Sequence, residues 1–445
     1  LFYVSITVNS IPFKDGFEKS INGKTWVVLA AGSNEWDNYR HQADVYHAYQ
    51  IVRSHGIPDE NIIVFHYDDI ADNENNPKPG KVFNKPNGPE VYHGVPKDYT
   101  GTDVTPENFL AALKGDLQLK ANGKKVVESG SNDHIFIFFS DHGSNDLISF
   151  PDDILHGKQL NDALKEMHQN NRYGKLVFYV EACFSGSMFK NYLAKNMNIF
   201  VTTAANEKEE SWACYCDTTD IDTCLGDLYS VSWMENSDNS NMSTETLQQQ
   251  YEIVKQKTDS SHVCEYGDMT MGTLHLDQFQ AKQKRYIYKT IESESIVPLA
   301  SIASPNVPLI LAQKRLLSAK NNEEIQFYSN KLERLVNGRQ LVDKHFDAYV
   351  DSVSHLISGN KNDIINNIQE VNDGDCYRQL VDTFHHNCLN LGKNTYGLQK
   401  LQIFVNICED LSNSSNKLVK TTETINILKD FCQNKFDVDI DYKIV

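Results

Sequence analysis

Residues 134–143 read HIFIFFSDHG, and residues 175–186 read KLVFYVEACFSG. Each opens on a continuous apolar run and stops at a reactive side chain set among small residues. An unbroken run this long, rich in Ile, Val and Phe, suits a strand covered on both faces, as in a parallel sheet. Three more such runs, Trp26–Ala31, Ile62–His66 and Ile199–Thr203, share the first 275 residues with helical patterns at 43–52 and Leu160–Gln169. The alternation predicts βαβ units: an α/β domain whose sheet carries helices on both faces. In such sheets ligands bind beyond the carboxyl ends of the strands. The strand ending at Ser140 would deliver His142 there, and its counterpart near Val180 would deliver Cys183.

A free thiol has a pKa of about 8.5 and is mostly protonated at neutral or acidic pH. An imidazole beside it can take that proton and later return it to a leaving amine. The amides of Gly143 and Cys183 are candidates for an oxyanion hole. Taken alone, even with this strand-end placement, the pair favours a buried thiol acting as a small hydrophobe and a structural loop histidine. Cys183 is also the only cysteine before Cys214, which suits a thiol kept out of disulfides.

The chain has 445 residues, enough for two domains. Its 60 acidic and 42 basic side chains give a net charge of −18, which argues against a nucleic-acid partner. From Gln326 onward there are 13 basic and 16 acidic residues, so most of the acidity lies before it. No apolar run reaches the roughly 18 residues that a membrane span needs. The opening LFYVSITV suits either the tail of a signal peptide or a terminal strand. Residues 72–105, rich in Pro, Gly and Asn, form a loop long enough to imply function.

From about Val307 the pattern turns helical, with amphipathic stretches at Asn322–Leu356 and Leu398–Leu411. The join, roughly 283–318, contains Pro298, Pro305 and Pro308 and reads as a linker. Nine cysteines leave one for a reactive thiol and eight to pair. Cys376, Cys388, Cys408 and Cys432 suit two disulfides in the helical part, with three connectivities open. Asn241-Met242-Ser243 and Asn413-Ser414-Ser415 are glycosylation acceptors if the chain is secreted.

Longer motifs then resemble one family. WVVLAAG (26–32) with SNEWDNYRHQAD (33–44), HGIPDENI (55–62), YDDIA (67–71), GVPKDYTG (94–101), DVTPENFL (103–110), SDHG (140–143), EAC (181–183) and LGDLYSVSWME (225–235) stand in the order and spacing of the legumains, the asparaginyl endopeptidases. The resemblance implies a caspase-like α/β peptidase domain over 25–282, after a propeptide or signal remnant at 1–24. A linker or activation peptide at 283–325 and an all-α prodomain at 326–445 would follow.

By the same resemblance Cys183 is the nucleophile, His142 its base, Asn38 the support of the histidine, and Gly143 part of the oxyanion hole. Arg40, His41, Glu181, Ser211 and Asp227 would line a pocket for Asn. An Asn side chain offers one carbonyl acceptor and two N–H donors, so a pocket with a guanidinium and carboxylates matches both ends. The implied reaction is hydrolysis after Asn, less readily after Asp, with no cofactor and no metal. Ligation by an amine is the alternative outcome of the same machinery. Expected partners are peptide and protein substrates, the chain's own prodomain and inhibitors of the cystatin type. The expected location is the secretory route to a lysosome or vacuole, or secretion.

Self-cleavage after Asn321 or Asn322 would activate the zymogen, and Asn22-Gly23 is a candidate N-terminal trimming site. Carboxylates of the acidic domain, paired with prodomain Lys or Arg, would lose their grip near pH 4. Cys216 and Cys224 bracket a loop similar to a disulfide-closed loop of plant members. Cys214 and Cys264 are then left without an assigned partner. Lys114-Gly115-Asp116 sits where some relatives carry Arg-Gly-Asp, and a helix-ending glycine is its simpler account. The clearest departure is Phe184 after the nucleophile, where relatives commonly carry Glu.

Overall fold

The computed structural model describes residues 23–218, 220–282, 301–434 and 436. The opening LFYVSITV and Asn22 lie outside them. In chain order the strands are β1 (Thr25–Ala31), β2 (Ile62–Phe65), β3 (His134–Ser140), β4 (Gly143–Ser144), β5 (Leu147–Ser149) and β6 (Ile154–His156). There follow β7 (Lys175–Glu181), β8 (Ile199–Thr203), β9 (Trp212–Cys214), β10 (Gly226–Asp227), β11 (Cys264–Gly267) and β12 (Ile302–Ala303). The main sheet has the order β11-β8-β7-β3-β1-β2. All neighbours in it are parallel except β8 and β11.

The five apolar runs are thus strands of one sheet, each end within a residue of expectation. β11, an antiparallel edge strand, was not expected. Its CEYG is too short and too mixed to stand out as a run.

Both faces of the sheet are covered. Val27, Leu29 and Ala31 join one core with Tyr46, Tyr49 and Trp233. Trp26, Val28 and Ala30 join another with Phe109, Leu160 and Leu164. This alternation is the two-residue period of a strand, and full burial of a Val or Leu side chain in it contributes about 1.5–3 kcal/mol. Helices Tyr39–Ser54, Leu228–Asn239 and Leu247–Lys257 supply the first core. Pro106–Lys114 and Gly157–Gln169 supply the second.

Gly115 ends helix Pro106–Lys114 with φ 70°, and Asp116 caps the next turn by accepting from Leu119 N at 2.7 Å. A Cβ at Gly115 would lie 2.5 Å from Val127 O. The Lys114-Gly115-Asp116 triplet is therefore explained by chain geometry.

The C-terminal part is helical: Val307–Ser318, Asn322–Val353, Lys361–Asn366, Gly374–Asn387, Tyr396–Lys400, Gln402–Ser412 and Lys417–Asn434. The stretch expected as one helix over Leu398–Leu411 divides at Leu401. Leu147 and Ile154 of the sheet domain belong to the same apolar core as Leu398 and Phe404, so the two parts share a packed interface.

The expected linker needs correction where it is described. Residues 302–303 pair with β9, and Val307–Ser318 is a helix. Prolines did not exclude order there. Pro308 sits in the first turn of that helix, where its missing N–H costs nothing.

Of the three connectivities, the structure holds Cys376–Cys408 and Cys388–Cys432, and it closes Cys216–Cys224. Cys183, Cys214 and Cys264 are free thiols. Six cysteines pair rather than eight.

Candidate active site

The register of the sheet puts the two reactive ends side by side. Ser140 of β3 lies opposite Ala31 of β1 and Glu181 of β7. His142 and Cys183 each follow two residues beyond that row. Gly143 lets the two turns meet, because a Cβ there would lie 2.6 Å from Cys183 O and 3.1 Å from Ala182 Cβ. Both side chains are covered in the full chain, Cys183 at 1% exposure and His142 at 3%.

Nε2 of His142 lies 2.8 Å from Oδ1 of Asn38. Asn38 Nδ2 donates to Asn34 O at 3.0 Å, so Oδ1 is the atom turned to the ring. An oxygen can only accept, which places the ring proton on Nε2 and leaves Nδ1 as the basic nitrogen. The thiol of Cys183 receives the N–H of Ser211 at 3.3 Å, and Ser211 Oγ lies 3.7 Å away. Burial pushes that thiol up to about 12, against the Ser211 N–H, while Glu210 and Glu181 add to the rise. In the covered chain Cys183 is protonated.

The five expected pocket residues converge. Helix Tyr39–Ser54 begins at the C-terminal edge of the sheet and presents Arg40 and His41. Arg40 is fully buried and donates from Nε to Asp227 Oδ1 at 2.8 Å. Its Nη2 donates to Ser304 Oγ at 2.6 Å, and Nη1 to Asp37 O at 3.2 Å.

His41 Nδ1 lies 2.6 Å from Ser33 Oγ and 3.2 Å from Asp141 Oδ1. The His41 ring stands edge-on to His142 at 4.9 Å. Burial holds His41 well below the usual imidazole range, helped by Arg40 and His142. Glu181 accepts from Ser230 N at 3.2 Å and Ser230 Oγ at 3.0 Å. Burial raises its carboxyl well above the usual range, as does neighbouring Asp227. Ligand atoms of His41, Asp141 and His142 lie within 4.8 Å of one another, the one group among the described residues able to hold a metal ion.

Three participants were not read from the sequence. Asp44 is fully buried one turn beyond Arg40, and burial with Asp227 beside it raises its carboxyl well above the usual range. The four-residue spacing from Arg40 was the available signal, since it puts both on one helix face. Ser230 was visible only as one serine inside the quoted motif at 225–235, with nothing local to mark it as a partner of Glu181. Ser304 has no local signature at all, because its place depends on β12 lying along β9.

The helical part closes over this crevice. Ser144 Oγ donates to Leu398 O at 2.7 Å, and Asn145 Nδ2 to Gln402 Oε1 at 2.9 Å. Tyr377 OH donates to Asn145 O at 2.7 Å, and Arg378 pairs with Asp146 at 3.2 Å. Gln399 donates to Glu210 at 2.9 Å, beside Ser211. Ser304 N donates to Ser211 O at 2.9 Å, so the chain after β12 lies against the pocket wall.

Thiol and imidazole at adjacent strand ends, beside a pocket of mixed charge, are the equipment of a cysteine-type hydrolase. The peptidase C13 family pattern matches residues 25–282, and the legumain prodomain pattern matches 330–425. Legumain from Homo sapiens is 43% identical over 413 residues, covering 91% of this chain and 93% of that one. Legumain from Rattus norvegicus is 45% identical over 394 residues, covering 87% and 89%. The vacuolar-processing enzyme delta-isozyme of Arabidopsis thaliana is 40% identical over 449 residues, covering 93% and 91%. Caspase-1 from Spodoptera frugiperda superposes with a TM-score of 0.37 at 11% identity, covering 63% of this chain and 100% of that one, too remote to support an inference. The chain belongs to the peptidase C13 family and is a cysteine-type endopeptidase with a legumain-type prodomain.

Proposed function

We propose that this peptidase hydrolyses peptide bonds after Asn, and after Asp less readily, once its helical region has been cut away. The observation that carries the reading is the buried set of Arg40, Asp227 and Glu181, reached from Cys183 through Ser211. Arg40 Nη2 would donate to the side-chain carbonyl of Asn in place of Ser304. Asp227 and Glu181 would accept from its N–H groups. An apolar side chain would leave these buried groups unpaired, at about 1–3 kcal/mol each. An Asp carboxylate would face two carboxyl groups, so its entry should improve as pH falls.

In the reaction, Nδ1 of His142 takes the thiol proton and Sγ of Cys183 attacks the carbonyl carbon. The amides of Gly143 and Cys183 hold the oxygen as it gains charge. The C–N bond then breaks, with the imidazolium proton passing to the leaving amine. Water, deprotonated by the same ring, attacks the thioester carbon; the C–S bond breaks, the acid leaves, and the ring proton returns to Sγ. Asn38 keeps Nε2 as the protonated nitrogen throughout. An added amine could take the place of water, which is the ligase outcome.

Asn321 is the favoured activation cut. It is exposed and extended, with φ −146° and ψ 168°, and it caps helix Asn322–Val353 from outside. Asn322 lies inside that helix, so cleavage after it requires the first turn to open. A self-processing chain of this type, with relatives named as vacuolar-processing enzymes, suits an acidic compartment of the lysosomal or vacuolar kind. Asn241 and Asn413 are both exposed, as glycosylation in the secretory route would require.

The test is cleavage-site profiling of a peptide library by the acid-treated chain at several pH values. Cuts after Asn at all of them, with cuts after Asp rising at low pH, are expected. A pattern without Asn at the cleaved position would sink the reading. Product masses in the presence of an amine measure the share of ligation.

A further inference from the structure

Three carboxyl groups, Asp44, Asp227 and Glu181, are buried together, each at 1% exposure or less. Among the described residues, Arg40 is the guanidinium bonded to this group. Charge balance alone disfavours three ionised acids in such a place. The unpartnered oxygen of Asp227 says where a donor is needed. Asn84 Nδ2 donates to Asp44 Oδ1 at 2.7 Å, and Ser140 Oγ reaches Asp44 Oδ2 at 3.3 Å. Asp227 lies beside Asp44: Arg40, one turn earlier on the same helix, bonds Asp227, and Asn84 Nδ2 bonds both Asp44 and Leu225 O, two residues before Asp227. Among the described residues, Oδ2 of Asp227 is buried and meets no N–H or hydroxyl donor. A buried carboxylate oxygen without a donor is costly, and a protonated Asp44 supplies the donor.

Resting on the Asn-pocket reading above, we propose that Asp44 is a positioning residue which stays protonated and donates to Asp227. It thereby keeps Asp227 ionised and oriented to accept the carboxamide N–H of a substrate Asn. The surroundings of Asp44 fit this role. Arg40 on its own helix bonds the far oxygen of Asp227. Glu181 on β7 disfavours a second charge at Asp44, and Cys214 on β9 is a neighbouring thiol that burial and these carboxyl groups hold protonated. His41 Nε2 lies 3.6 Å from Asp227 Oδ2, with burial holding its ring in the neutral form. Asn84 is fixed from behind by His47, at 2.8 Å, and His47 pairs with Asp238 at 2.9 Å. Asp44 thus helps to set the pH range over which the pocket reads Asn rather than Asp.

The consequence follows from the sign of the linkage. Removing the donor leaves Asp227 easier to protonate, so its acceptor role is lost at a higher pH as pH falls. Asp44→Ala should move the acidic limb of kcat/KM for an Asn peptide upward by about one pH unit, with KM raised about tenfold. Cleavage after Asp should extend to correspondingly higher pH. Asp44→Asn keeps a neutral donor of the same shape and should retain the wild-type profile for both peptides.

The full chains are compared after acid treatment. A trace of tagged wild-type enzyme makes the processing cuts and is then removed by its tag. Wild type failing to cut after Asn defeats the pocket reading itself. With wild type cutting after Asn, an Asp44→Asn profile displaced from wild type, or an Asp44→Ala profile that is not displaced, overturns the role of Asp44. Should Asp44→Ala not fold, Asp44→Asn alone decides: retention of both profiles supports the proposal, and displacement overturns it.

Discussion

Cys183 is the residue on which the reading depends most directly. Cys183→Ala should abolish peptide cleavage while leaving the circular dichroism spectrum and melting temperature within a degree or two of the parent. Full activity in that variant would refute the assignment. Asn38 should act through the ring rather than on substrate. Its removal frees the imidazole to change tautomer, so Asn38→Ala should lower kcat about 10- to 100-fold with KM little altered. A change in KM alone would remove it from the catalytic group. These residues were legible because each sits in a short motif at a strand end or helix start. Asp44 was not, since its meaning depends on Asp227, which lies 183 positions on in the chain. The departure at Phe184 acquires a backbone reading: with φ 56°, it stands in the left-handed region beside Cys183, its N–H donating to Glu209 O at 2.8 Å.

Strands and helices followed from periodicity where burial is uniform, as in β3 and β7. They were less legible where an element is short or borrowed. β12 has two residues and exists only because β9 offers an edge. Helix Asn322–Val353 is long, and its start is set by one side chain. Oδ1 of Asn321 accepts from Glu324 N at 2.8 Å, with Glu323 and Glu324 in the first turn. Asn321→Ala should remove the principal activation fragment from a gel of the acid-treated chain, and cost about 1 kcal/mol of helix capping. An unchanged fragment mass would move the cut elsewhere. Disulfides stabilise the helical part in the same local way. The Cys376–Cys408 and Cys388–Cys432 loops span 32 and 44 residues. Chain-entropy estimates for loops of this size are about 4 kcal/mol each. Cys388→Ser with Cys432→Ser should therefore lower the melting temperature at pH 7 and release activity there without acid treatment. A melting curve superimposable on the parent's would contradict this.

The whole molecule is a peptidase domain covered by its own C-terminal helices, and the carboxylates at their interface predict a hold that weakens with acid. Glu370 bridges Lys190 at 3.1 Å and Lys208 at 3.0 Å, and these lysines lower its carboxyl below the usual range. Asp153 is raised by burial, but its bonds to His385 and the Ile154 N–H outweigh that and leave it lowered. A carboxylate depressed in the docked state favours docking above its free value, and the gain disappears as pH falls through the docked value. Both are therefore expected to weaken the hold on acidification, below about pH 4. Asp146 opposes them, because burial raises its carboxyl despite Arg378. Neutralising the first two by Glu370→Gln and Asp153→Asn should shift the pH at which peptide cleavage appears upward. An activation curve that coincides with the parent's would place the control elsewhere.

At this scale the division between chain and fold is physical. Apolar periodicity, strand-end motifs and the change from α/β to helical pattern are local properties, so they stand in the order of residues. They carried the α/β class, the placing of His142 and Cys183 at neighbouring strand ends, and the helical region after it. Contacts between distant segments are not local. Arg40 meets Ser304 across 264 positions, Ser144 meets Leu398 across 254, and the choice among disulfide pairings rests on how helices pack. Only the folded chain selects these, since each depends on burial shared between segments that carry no mark of one another.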